Sequence, residues 1–137
     1  MTLREAVYNT LVAVTNITDI TSTRIHWKVM PQDTDYPAIV FETVPTIEGR
    51  IHLMTADSAL VMETLRVTVW GEEQNLLNME LVAGYIKTAL SRFSGVMGGD
   101  GGVTINQIFL NTNQSAIYEA GVNAYNIPQD FTVWYQE

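Results

Sequence analysis

The stretch LRVTVWGEEQNLL, residues 65–77, holds the clearest change of local structure in the chain. Val67 and Val69 alternate with polar side chains, which is the period of a strand with one buried face. Gly71 interrupts that alternation. Over residues 79–93, apolar side chains recur at steps of three and four, which predicts an amphipathic helix. The stretch is therefore predicted to be a strand-to-helix junction.

Two adjacent carboxylates, Glu72 and Glu73, follow the glycine of this junction. General acid–base catalysis would require one of them to be buried, with a partner group across a cleft. Adjacent residues at a helix start point in different directions, and the unpaired N–H groups there favour ionised carboxylates. We therefore interpret the pair as the start of a helix, with no catalytic role.

The N-terminal segment predicts a helix of about 15 residues. Thr2 and Glu5 have the spacing of a capping box. Apolar residues then recur on one helical face, at Leu3, Val7, Leu11 and Val14.

The remaining pattern completes an α+β fold, in which helices pack on a mainly antiparallel sheet. The segment 38–44 is predicted to be a strand that stops near Pro45, and the glycine-rich segment 95–102 a flexible connector. Pro128 places the last strand at a sheet edge or at a bulge, because proline donates no ladder hydrogen bond. The predicted order is α-β-β-β-α-β-β, with helices in 2–16 and 74–93 and strands in 21–28, 38–44, 59–70, 103–110 and 124–135.

Composition narrows the classes of function. A chain of 137 residues fits one domain, 1–137. Only 16% of the residues are charged, which favours a chain that buries surface against copies of itself or a partner. The net charge is −8, and the seven basic residues are scattered, which disfavours tight binding to nucleic acid. No apolar run is long enough to cross a membrane.

Chemical motifs are scarce. The glycine cluster lacks the lysine of a phosphate-binding loop. His26 and His52 have no neighbours at metal-ligand spacing, and the absence of cysteine excludes thiol chemistry. We expect no catalytic site, no metal and no cofactor. A small α+β enzyme or ligand-binding domain remains the alternative, and it would require a concave pocket with convergent polar groups.

The segment 47–58, IEGRIHLMTADS, has no clean period but carries apolar residues. A long loop of this kind is either tucked onto its own domain or contacts another chain. Ile51, Leu53 and Met54 are therefore candidate interface residues.

In order and spacing, the segments resemble the tail-terminator, or tail-completion, family of long-tailed bacteriophages and related gene-transfer particles. The resemblance rests on the N-terminal helix, VMPQDTDYPAIVFETV, the loop 47–58, LRVTVWG before a long helix, the glycine-marked break, and the final FTVWY. It covers nearly the whole chain and includes no catalytic motif.

This resemblance implies a structural protein of the virion tail or neck, assembled in the host cytoplasm. It implies a hexameric ring that caps the tail tube, ends its polymerisation and joins the head–tail connector protein, with DNA passing through the lumen. An acidic lumen would repel phosphate, and the residues that could reach it are Glu48, Asp57, Glu72 and Glu73. A different neck component, such as a head-completion or connector protein, or a tail-tube subunit, remains the alternative within this class.

Overall fold

One curled, mostly antiparallel sheet forms the frame of the chain, which the computed structural model describes for residues 1–52 and 59–136. The described strands run in the spatial order β1-β2-β3-β7-β5-β4, and β6 pairs with β7. The α+β class with a mainly antiparallel sheet is thus confirmed. The strands are β1 (Ile25–Trp27), β2 (Ala38–His52), β3 (Ala59–Gly71), β4 (Gly95–Met97), β5 (Val103–Asn113), β6 (Ile117–Glu119) and β7 (Ala124–Gln136).

The N-terminal helix is shorter than predicted and is followed by a second helix. Helix α1 covers Leu3–Ala13, and α2 covers Thr15–Thr21. The predicted capping box is confirmed: the Glu5 N–H donates to Thr2 Oγ1 at 3.2 Å, and the Thr2 N–H donates to Glu5 Oε2 at 3.1 Å. Val14 separates the helices with an extended backbone (φ −82°, ψ 103°). The β-branched residues around it lower helix propensity, which the apolar periodicity does not register.

The long helix α3, Leu76–Leu90, packs on β3 and β7. The predicted apolar stripe forms its buried face, where Met79, Val82, Ile86 and Leu90 are fully buried. A side chain at Gly71 would meet this face, because an added Cβ would lie 2.5 Å from Met79 Sδ. The glycine therefore allows the helix to turn back closely over the strand that precedes it.

Strand β2 continues past the point where it was predicted to stop. It pairs with β3 through Pro45, which lies opposite Glu63, and pairing resumes at Arg50, opposite Val61. Between these two pairs, four residues of β2 lie opposite one residue of β3. Pro45 is therefore followed by a large β-bulge. The prediction of a strand end was wrong because a bulge accommodates the interruption.

The predicted place of the last strand was also wrong. Strand β7 is central, with β3 on one side and β5 and β6 on the other. Pro128 is paired with Thr68 of β3, and on the other side the pairing of β5 ends at Gln129 while that of β6 begins at Asn126. Proline therefore occupies the gap between two neighbouring strands, where a missing N–H costs little.

The glycine-rich segment is ordered as a hairpin rather than a flexible connector. Strand β4 pairs with the start of β5, and the turn between them uses positive φ at Gly98, Gly99 and Gly101. At Gly102 an added Cβ would lie 2.1 Å from the Met97 carbonyl oxygen. Glycine is thus required here both for backbone conformation and for close approach.

Among the residues that the structure describes, the helices and one sheet face enclose one buried hydrophobic cluster. Alternate residues of β3, Leu65, Val67 and Val69, are fully buried in it. Gln129 of β7 is also buried and donates from Nε2 to the Ala83 carbonyl of α3 at 3.0 Å. This hydrogen bond ties the central strand to the long helix within an otherwise apolar layer.

Candidate assembly surfaces

The face of the sheet opposite the helices carries the alternate set of side chains. Cross-strand partners point to the same face, so the register places Arg66 beside Glu42 of β2 and Asp130 of β7. This surface, the open sheet face, consists of Val40, Glu42 and Val44 of β2, Met62, Thr64, Arg66, Thr68 and Trp70 of β3, Pro128, Asp130, Thr132 and Trp134 of β7, and Gln107 and Phe109 of β5.

Aromatic and apolar side chains remain accessible on the open sheet face. Val44 is 44% exposed and Phe109 is 46% exposed, while Trp70 and Trp134 are half-buried. Sequence analysis did not single out these residues as functional. The signal was present in the alternation of β3 and β7, where both phases of the strand contain large apolar residues. Such a face suits contact with another protein.

An ion pair lies at the middle of this face. Arg66 donates from Nε to Asp130 Oδ1 at 2.9 Å and from Nη2 to Oδ2 at 3.3 Å. The hydrogen bond and the charge of Asp130 raise the pKa of the Arg66 guanidinium, which therefore stays charged. With Glu42 as the third charge, the face carries one positive and two negative groups. It has no basic cluster with which to hold a phosphate backbone.

The two junction carboxylates lie at one end of the sheet, as the sequence predicts. Glu72 and Glu73 are exposed at the start of a 3-10 turn, Glu73–Asn75, that leads into α3. The Glu72 N–H donates to Asn75 Oδ1 at 2.9 Å, and Gln74 Nε2 donates to Glu72 Oε2 at 3.0 Å. The carboxylates thus belong to the cap of a helical turn on an open surface. The strand-to-helix interpretation is confirmed.

The remaining candidates fall in or beyond the distal part of β2. Glu48 and Ile51 belong to this strand, rather than to a loop without regular structure. Leu53, Met54 and Asp57 lie outside the described residues. Glu48 is therefore on the bulged part of β2, toward the end of the β2–β3 pair that is opposite to Gly71.

Signs of a chemical site are few within residues 1–52 and 59–136. No group of three or more His, Asp or Glu side chains in these ranges could hold a metal ion. Burial lowers the pKa of His26, whose Nε2 is buried with no hydrogen-bond partner. None of the described helices is long and apolar enough to span a membrane.

The fold has known counterparts among solved structures. One is a chain from the structure titled "Virion of native gene transfer agent (GTA) particle", with a TM-score of 0.74 and 14% sequence identity. The match covers 98% of this chain and 95% of that chain. At this identity the two share a fold from end to end. No protein-family model and no curated protein matches the sequence.

Proposed function

We propose that the chain is a structural protein of a phage-like virion, and specifically a tail terminator. In this role it forms a ring, a hexamer by the family resemblance, on the head-proximal end of the tail tube. The ring ends tube polymerisation and joins the tail to the head–tail connector protein. The observation that carries the proposal is the fold shared over nearly the full length of both chains with a protein of a gene transfer agent virion.

The surfaces of the chain support an assembling role. Only 16% of the residues are charged, and one sheet face exposes aromatic and aliphatic side chains. The cleft beside β1 is lined by a tryptophan and a phenylalanine, and the Glu5 carboxylate in its lining accepts from the Thr2 N–H as part of the helix cap. This balance favours a surface that is covered by other proteins over one that performs chemistry. The proposed role is therefore non-enzymatic.

The charge of the chain supports passage of DNA without retention. Six copies, each with a net charge of −8, would carry −48 formal charges around the ring. Acidic groups at a lumen repel phosphate, so a duplex can slide past them. Glu48, Asp57, Glu72 and Glu73 are the residues that we propose for the lumen. We expect the purified protein to show no binding of duplex DNA at physiological salt, and a submicromolar dissociation constant would contradict a lumen of this kind.

The segment 47–58 is the proposed contact with the tube or with a neighbouring subunit, through Ile51, Leu53 and Met54. Replacing Leu53 and Met54 together by Asp places two charges in that contact. We expect the double variant to remain folded by circular dichroism while ring assembly or docking to tails is weakened. Unchanged association and unchanged particle yield would exclude this segment from the interface.

Electron microscopy of the purified protein distinguishes a terminator from a tail-tube subunit, and microscopy of particles that lack the protein distinguishes it from a head-completion or connector protein. A terminator stops at one closed ring, whereas a tail-tube subunit stacks into long polymers. A head-completion or connector protein also forms a ring, but its loss would leave tails of normal length without heads. We expect loss of this protein to give tails of uncontrolled length, and normal tails in its absence would refute the terminator role.

A further inference from the structure

A small groove lies between α3 and the chain that joins β5 to β6. This α3–β7 groove has a volume of about 260 Å³, below the roughly 300–1,000 Å³ of sites for drug-sized ligands. The size suits a single side chain or a short stretch of backbone rather than a cofactor. Its lining consists of Glu80, Ala83, Gly84 and Lys87 of α3, Gln114, Ser115 and Ala116 of the connection, and Ile127 and Gln129 of β7.

The floor of the groove contains a hydrogen-bond acceptor that this chain leaves unused. Gln129 is only 1% exposed, and its Nε2 donates to the Ala83 carbonyl at 3.0 Å, which fixes the orientation of the amide. Its Oε1 is buried and accepts no hydrogen bond from the part of the chain that the structure describes. Buried acceptors are nearly always paired. The groove therefore presents a buried acceptor to an incoming N–H donor.

Gly84 makes the wall of the groove accessible to another backbone. It lies in the interior of α3, where glycine lowers helix stability relative to alanine. An added Cβ would have no heavy atom within 4 Å, so no close contact within the chain accounts for glycine at this position. The missing side chain does allow a second polypeptide to approach the helix closely. Gly84 and the unpaired oxygen of Gln129 thus point independently to the same occupant, a polypeptide backbone.

The two charged residues of the lining define the ends of that occupant. Glu80 and Lys87 are exposed and lie seven positions apart in α3, which is about 10 Å along the helix axis. In a polyproline II segment, residues three apart lie on the same side at a spacing of about 9 Å, and the backbone N–H groups have no internal partner. A segment with opposite charges three residues apart can therefore reach both Glu80 and Lys87 and present an N–H between them.

We propose that the α3–β7 groove binds an extended segment of another protein. The segment places a basic residue opposite Glu80, an acidic residue opposite Lys87, and small residues over Gly84, and it donates a backbone N–H to Gln129 Oε1. A second copy of this chain does not supply it. In the sequence, opposite charges three residues apart occur only at Glu63 and Arg66, which lie within β3 and are paired with β2 and β7 on either side. This binding site goes beyond the proposed ring and does not depend on it.

Short peptides test the chemistry of the site directly. The probes are two blocked tetrapeptides of opposite order, Arg-Ala-Gly-Glu and Glu-Gly-Ala-Arg, titrated into ¹⁵N-labelled protein. We expect one order to shift the side-chain amide of Gln129 and the backbone amides of residues 83–87 and 114–116, with a dissociation constant of about 1 mM. The same peptide N-methylated at both central residues should give no such shifts, because it has no central N–H to donate. Equal shifts with the methylated peptide would overturn the inference.

Gly84→Ala is the sharpest variant, because it should raise the stability of the fold while filling the gap on α3. We expect the peptide affinity to fall at least about fivefold, and a more stable variant cannot lose binding through unfolding. The matched control is Gly121→Ala, since a Cβ at Gly121 would also have no heavy atom within 4 Å and the residue lies outside the groove. This control should bind like the wild type. Unchanged affinity of Gly84→Ala would overturn the inference.

A charge swap tests the two ends of the groove. The double variant Glu80→Lys and Lys87→Glu changes two exposed side chains, so the fold should persist. We expect it to prefer the peptide of the opposite order. An unchanged preference would overturn the proposed pairing, and the absence of localised shifts with both peptides at about 10 mM would overturn the site. Neither result bears on tail length, so the proposed function would stand or fall separately.

The partner can be identified in assembled particles. A photoreactive amino acid in place of Ser115 should cross-link to another virion protein, and adding Gly84→Ala should abolish that product. Cross-links between copies of this chain would overturn the choice of occupant. A product that Gly84→Ala leaves unchanged would show that the cross-linked protein does not occupy the groove.

Discussion

The turn between β4 and β5 provides a sharp test of the structure, because Gly102 in this turn is closely surrounded by backbone atoms whereas Gly84 on α3 is not. At Gly102 an added Cβ would lie 2.1 Å from the Met97 carbonyl oxygen and 2.8 Å from that of Gly99. Both contacts are with backbone, which cannot swing aside as a side chain can. At Gly84, in α3, an added Cβ would have no heavy atom within 4 Å.

The expected effects of alanine therefore have opposite signs. Gly102→Ala has to open the turn by about 1 Å, and overpacking of this kind costs about 1–3 kcal/mol. Because the Gly102 N–H also donates to the Gly99 carbonyl at 3.0 Å, opening the turn weakens this hydrogen bond and places the cost near the upper limit. Gly84→Ala removes helix-interior glycine and should stabilise by about 0.8–1 kcal/mol.

Thermal and urea unfolding, followed by circular dichroism at equal protein concentration, measure both variants. For a chain of this size, about 3 kcal/mol corresponds to a fall in melting temperature of roughly 10 °C. Gly84→Ala should instead raise the melting temperature by a few degrees. A Gly102→Ala variant as stable as the wild type would show that the turn is not built around this close approach.

Two further predictions concern the N-terminal half. Thr2→Ala removes the side-chain cap of α1 and should lower the free energy of unfolding by about 1 kcal/mol; no change in urea unfolding would show that the capping box does not contribute. His26 has a lowered pKa in the folded state, so the unfolded chain binds its proton first and stability falls as the pH drops below about 6.5. His26→Leu should remove the loss of stability that His26 causes as the pH falls. Identical slopes of unfolding free energy against pH in the two proteins would show that His26 does not contribute to it.

Local periodicity was sufficient to predict the elements that carry one buried face. The alternation at Val67 and Val69 and the helical stripe that begins at Met79 required no knowledge of neighbours, because each element must bury that face somewhere. The position of Glu72 and Glu73 at the start of a helical turn could also be predicted locally, because a glycine between a strand and a helix marks where one element ends and the next begins.

Features that depend on neighbouring strands could not be predicted in this way. Pro128 lacks a donor in any environment, but the sequence does not show that β5 ends and β6 begins beside it. Pro45 likewise interrupts a ladder, and only the register with β3 shows that pairing resumes at Arg50. In both cases the deciding contact lies far away in sequence. Val14 is different, because it ends a helix through the low helix propensity of the β-branched residues around it although it continues the apolar stripe.

The same limit applies to the assembly surfaces. Trp70 and Phe109 lie 39 positions apart in the sequence. Nothing local relates them, and they reach the same open sheet face only once β7 pairs with both β3 and β5. The sequence therefore favoured the segment 47–58 as the interface, because its apolar residues are close together in the sequence and can be recognised without knowing which strands pair.

The one parallel pair among the described strands depends on the shortness of β1. Parallel neighbours usually require a crossover of a dozen or more residues, but β1 is so short that the ten residues 28–37 suffice to return the chain to the start of β2.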